Sequence, residues 1–167
     1  MQMIGSDFVG QEQANRVVES FPAVPSVLDG WLERLMASGD WLSFNKLVNL
    51  AAYVRPPGPG ELLCRALDSR AVSVNREDMV EILGELGDTA SVGSIVRAIH
   101  SEYGTDGPHY NFCRRCPSAL AAIGGDDARR KLSDVTGSGW PNVLRWYAAV
   151  ELGIEEDLGF DEDEMLR

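Results

Sequence analysis

The sequence has no uninterrupted apolar run near the ~20 residues that span a bilayer, so no membrane-crossing helix is expected. Its start, MQMIGSDFVGQEQ, has neither the basic n-region nor the apolar h-region of a secretory leader, and a cytoplasmic protein is expected. Sulfur is sparse. Cys64, Cys113 and Cys116 make an odd count, which argues for free thiols over a disulfide framework. Histidine is sparser still, with His100 and His109 alone. Strand signals are nearly missing: there is no sustained alternation and no Asn-Gly hairpin. Gly124-Gly125 and PPGPG lack the strand and lysine of a phosphate loop, and no nucleophile elbow is present. A non-enzymatic protein is therefore expected, with no catalytic residue and no cofactor. Basic charge is also short, at 15 Lys and Arg against 26 Asp and Glu, for a formal net charge of −11. Such a chain repels phosphate backbones, so nucleic acid is not an expected partner and a basic protein is.

What the sequence does have is helix. Apolar positions recur at three and four in VLDGWLERLM, FNKLVNLAAYV, DMVEILGEL and SVGSIVRAI. Glycine and proline breakers follow each at ASGD, RPPGPG, LGD, YGTDGP, IGGDD and TGSGWP. The helices also repeat. Trp31, Leu32 and Leu35 return after 32 residues as Leu63, Cys64 and Leu67, after another 32 as Ile95, Val96 and Ile99, and after 37 as Leu132, Ser133 and Thr136. A second set, Leu47, Val48 and Ala51, returns as Met79, Val80 and Leu83, then Cys116, Pro117 and Leu120, then Ala148, Ala149 and Leu152. Two anchor sets with one spacing describe a two-helix unit that buries its face against its neighbours. Four units follow, 22–54, 55–86, 87–123 and 124–153, with Asp40, Asn75 and Asp88 as helix N-caps and Pro141 in a first turn.

The stretches VEILGELGDTASVGSIVRAI, ALAAIGGDDARRKL and VLRWYAAVELG resemble HEAT-like repeats, in particular the short bacterial kind also found in phycobilin lyases. The likeness covers about 75–153 well and extends over 22–74. The chain departs from that kind at Thr89, where a proline usually follows Gly-Asp, and in lacking a regular ladder of Asp and Arg between units. The resemblance implies an all-α fold, a right-handed α-solenoid of about four antiparallel hairpins over 22–153. Residues 1–21 are expected to cap it through Phe8, Val17, Val18 and Phe21. The segment 154–167 carries seven acids and one arginine over its last thirteen positions and is expected to be a disordered tail.

In HEAT-like proteins the second helix of each unit lines the concave surface, which implies a groove here. Glu77, Glu81 and Glu85 stand four apart beside Asp78 and give that groove an acidic middle, with Arg114 and Trp146 farther along. The five extra residues of the 37-residue step fall between Ile99 and Phe112, so SEYGTDGPHYN is a loop insertion that brings Tyr103, Asp106, His109 and Tyr110 to a surface. The expected function is binding of a basic protein through the concave face and the 101–111 loop, as an immunity or inhibitor protein does against a toxin. A solvated charge run and a tolerated loop explain the same residues without a partner.

The alternative class is an enzyme or enzyme subunit. HEAT-like DNA glycosylases need a basic concavity that REDMVEILGEL contradicts; a bilin lyase-like role would turn on Cys113. The stretch HYNFCRRCP puts His109, Cys113 and Cys116 within eight positions, but the register assigns Cys116 to a core slot. No metal is assigned, and zinc binding by His109, Cys113 and Cys116 stays open at this point.

Overall fold

The computed structural model describes residues 10–56 and 58–165, and among them every regular element is helical. The elements are α1 (Gln11–Ser20), α2 (Val24–Ser38), α3 (Trp41–Val54), α4 (Pro59–Ser69), α5 (Arg76–Leu86), α6 (Val92–Glu102), α7 (Arg115–Ile123), α8 (Gly125–Val135), α9 (Asn142–Leu152) and α10 (Glu162–Met165), with a 3-10 turn at Thr89–Ser91. None is long and apolar enough to cross a membrane.

Local chemistry sets the boundaries. Asp40, Asn75 and Asp88 accept from the backbone N–H of Ser43, Asp78 and Ala90 at 3.2, 3.3 and 3.0 Å, which satisfies donors that a helix start leaves open. Helix α2 stops at Gly39, whose φ of 72° only glycine adopts without strain. There the N–H of Asp40 reaches back to Leu35 O and that of Gly39 to Met36 O, as in a Schellman motif. Pro141 lies one residue earlier than the sequence suggested, as the N-cap of α9.

The helices alternate between two rows. In one, α2 packs on α4, α4 on α6 and α6 on α8; in the other, α3 packs on α5, α5 on α7 and α7 on α9, and each first helix also packs on its own second helix. The repeating apolar slots fill the space between the rows. Leu32, Leu63, Leu67, Ile95, Ile99 and Leu132 are buried from the first row, and Leu47, Met79, Leu83, Cys116, Leu120 and Ala148 from the second. The broadest helix contact is α5 on α7. A Cβ on Gly84 would stand 2.9 Å from the Cα of Ala119, so these helices approach as closely as a residue without a side chain allows.

At the N-terminal end, α1 docks on α2 and α3 through buried Ala14 and half-buried Val17 and Val18, while Phe21 is exposed. Phe8 lies outside the described residues. After α9 the acidic segment runs through turns at 155–159 into α10, and the Phe160 ring lies 5.3 Å below the Arg145 guanidinium.

Candidate functional site

The second-row helices present a polar face in which side chains of one unit reach the next. Asn45 on α3 donates to Ser73 O at 2.9 Å and accepts from the Asn75 N–H at 3.2 Å. Asn49 bonds the Asp78 carboxyl, whose pKa burial nevertheless raises. Ser118 on α7 donates to Glu151 on α9. Between them stands Arg115, the first residue of α7, with its Nε 2.8 Å from a Glu77 carboxylate oxygen and its Nη1 on Glu81. Glu85, one turn farther along α5, is exposed and has no ion-pair partner among the described residues. The acidic stripe thus exists, and a basic residue is already seated at one end of it.

Arg115 was not singled out from the sequence; its neighbour Arg114 was. Arg114 is the N-cap of α7 and half-buried, while Arg115 carries the cross-helix pairs. The signal was present as opposite charges about one unit apart. Glu77 and Arg115 are 38 residues apart; on the other row Glu33 pairs with Arg65 at 3.6 Å and Asp68 with Arg97 at 2.7 Å. A ladder between units therefore exists, at separations too uneven to read as a repeat.

Trp146 does not line an open groove. It is 7 % exposed and packs its ring against Tyr147 at 4.8 Å. The register puts it on a second-row helix, α9, but its side chain is covered there.

The inserted loop is fastened inward. Asp106 accepts from the Cys113 N–H at 2.7 Å and from the Phe112 N–H at 3.5 Å, so its carboxylate closes the turn that precedes α7. Phe112 and Cys113 are buried beneath it. Tyr110, at φ 50°, packs against the core and is half-buried. Arg76 lies over the Phe112 ring at 4.9 Å and pairs with Glu102 at 2.5 Å, with only 17 % and 28 % of their side chains exposed. The loop leaves two of its predicted contact residues accessible: His109 is exposed, and Tyr103 is 36 % exposed with its edge against Trp140 at 5.1 Å.

The thiols are quiet. Cys113 and Cys116 are fully buried, and burial raises both pKa values, with the hydrogen bond to Asp106 adding to the effect on Cys113. Half-buried Cys64 is raised too, again chiefly by burial. Among the described residues no three His, Cys, Asp or Glu side chains are grouped to share a metal ion. His109, exposed at the loop, does not join the two cysteines below it. Burial of Cys113 also withdraws the thiol on which a bilin-attaching role would rest. A cavity of about 370 Å³ at the opposite end of the units is lined by Arg55, Glu61 and Asp88 among others and includes none of these residues.

Compared with known protein families, curated proteins and solved structures, the chain matches none. The assignment of a role therefore rests on the site itself.

Proposed function

We propose that the chain is a right-handed HEAT-like α-solenoid of four hairpins that binds a basic protein partner, without catalysis, through its second-row helix face and the accessible part of the 101–111 loop. One observation carries this reading: Glu77 and Glu81 on α5 share the guanidinium of Arg115 on a half-exposed face, with Asp78 beside them on the same helix and an exposed Glu85 one turn farther along. An excess of carboxylate along α5 sets a field that steers positive surfaces inward and repels nucleic acid. Tyr103 and His109 supply accessible rings at one edge, the kind of side chain that anchors a charged interface. An acidic inhibitor that covers the basic cleft of a toxin, as an immunity protein does, fits this chemistry.

The test is capture of partners from the native host with wild-type protein and with the Glu81→Gln/Glu85→Gln variant, followed by titration of the purified partner. The expected result is a basic protein held with an affinity that falls steeply with salt and is lost in the variant. Equal binding by both baits overturns the reading.

A further inference from the structure

Three helix ends meet around a cleft of about 310 Å³: the last turn of α1, the start of α2 and the last turn of α3. Its floor is apolar. Ala14 and Val18 stand four apart on one face of α1, with Pro25 of α2 and Val54 of α3 completing the wall. A dry cavity of ~150 Å³ admits benzene, so this volume holds an aryl ring with a short chain. The rim is polar and of one sign. Glu19 and the Tyr53 hydroxyl line it, and neither has a hydrogen-bond or ion-pair partner among the described residues. Asn15, also on the rim, is engaged by Gln11, from which it accepts at 2.9 Å. The C-terminal ends of α1 and α3 bring the negative ends of two helix dipoles, and neither last turn carries a basic residue. Only α2 begins here, and Pro25 in its first turn removes one backbone donor. The cations nearest in sequence serve elsewhere: Arg16 pairs with Glu12 at 3.4 Å, and Arg55 lines the cavity bounded by Glu61 and Asp88. Apolar floor, unpartnered carboxylate and hydroxyl, and no cation of its own describe a site for a positively charged amphiphile.

We propose that this cleft binds a primary ammonium group carried on an apolar body: the hydrocarbon lies on Ala14, Val18, Pro25 and Val54, and the ammonium donates to Glu19 and the Tyr53 oxygen. A neutral ligand of the same shape loses the charge-assisted bond, and an anionic one meets Glu19 and the two helix C-termini. A free arylalkylamine and a lysine side chain share this chemistry. None of the cleft residues belongs to the α5 face, so the inference goes beyond the binding role proposed there and stands or falls separately.

The experiment is an NMR titration of the full chain with phenethylammonium, phenethyl alcohol and phenylacetate, read at the methyl groups of Ala14, Val18 and Val54, using wild type, Glu19→Gln, Tyr53→Phe and Glu81→Gln/Glu85→Gln. The double variant removes two negative charges away from the cleft, so it controls for net charge. The expected result is saturable shifts at these methyls with phenethylammonium, about fivefold weaker for the alcohol and for Glu19→Gln, the ratio of one exposed ion pair. Tyr53→Phe weakens the amine about threefold through one hydrogen bond, the double variant leaves it unchanged, and phenylacetate moves nothing. A second arm adds acetyl-lysine methylamide: binding as tight as the arylamine assigns the site to a lysine side chain, and binding of the arylamine alone assigns it to a free amine. Shifts that do not saturate, equal binding of alcohol and amine, or an affinity unmoved in Glu19→Gln overturn the proposal. So do contacts from residues 1–9 to these methyls in the free protein with no response to amine, because the chain then fills its own cleft. Every one of these results leaves the reading of the α5 face untouched.

Discussion

The α5 face and the 103–114 loop carry similar residue types, yet they do different work. On α5, Glu77 and Glu81 share Arg115 in the open, and Glu85 waits without an ion-pair partner among the described residues. At the loop, Asp106 gives both carboxylate oxygens to the backbone of Phe112 and Cys113, and beside it Arg76 at the start of α5 pairs with Glu102 at the end of α6 over the buried Phe112 ring. A carboxylate among exposed partners can exchange them at little cost, whereas one bound to half-buried N–H groups cannot leave without stranding them. Exposure of the partner, and not the charge itself, separates a surface whose pairs can exchange from a segment that holds the fold.

The comparison breaks most sharply at Asp106. Asp106→Ala should lower unfolding free energy by about 2 kcal/mol, because two backbone donors lose their acceptor, and should leave oligoarginine affinity unchanged; urea titration and anisotropy check both halves. Cys116→Ala should cost about 1 kcal/mol through the small cavity it leaves in the core slot, again with binding intact. Alkaline pH probes the same buried region. The folded thiols of Cys113 and Cys116 ionise above the ordinary value of 9.0, so the unfolded chain gives up protons first. Their contribution is complete below that value and is lost as pH rises through it, so melting temperature should fall above about pH 9. A thiol reagent at neutral pH should reach Cys64 in the native protein and the other two only in denaturant. The smallest stability effect belongs to the face: Glu81→Gln should change unfolding free energy by less than about 1 kcal/mol, with its consequence confined to binding.

Helix type, unit boundaries and core slots were legible in the sequence because each rests on local periodicity. Leu63, Ile95, Met79 and Cys116 are buried where the two anchor sets put them, and Asp40, Asn75 and Asp88 cap as expected. Side-chain partners were less legible, since they depend on how far a unit is rotated against the next. A register in whole residues cannot tell Arg114 from Arg115, although one step turns a helical side chain by about a quarter of a circle. Trp146 shows the same limit: its slot matches Glu77 and Arg114, yet its ring is covered and packs against Tyr147. Asp106 looked like a contact residue because the insertion was read by its composition, and its inward hydrogen bonds had no sequence signal.

The most direct test of the binding role is the affinity of the Glu81→Gln/Glu85→Gln variant for oligoarginine at physiological salt, taken with its melting temperature. A face that recognises basic segments predicts binding lost and melting unchanged. Binding retained at wild-type strength would contradict it.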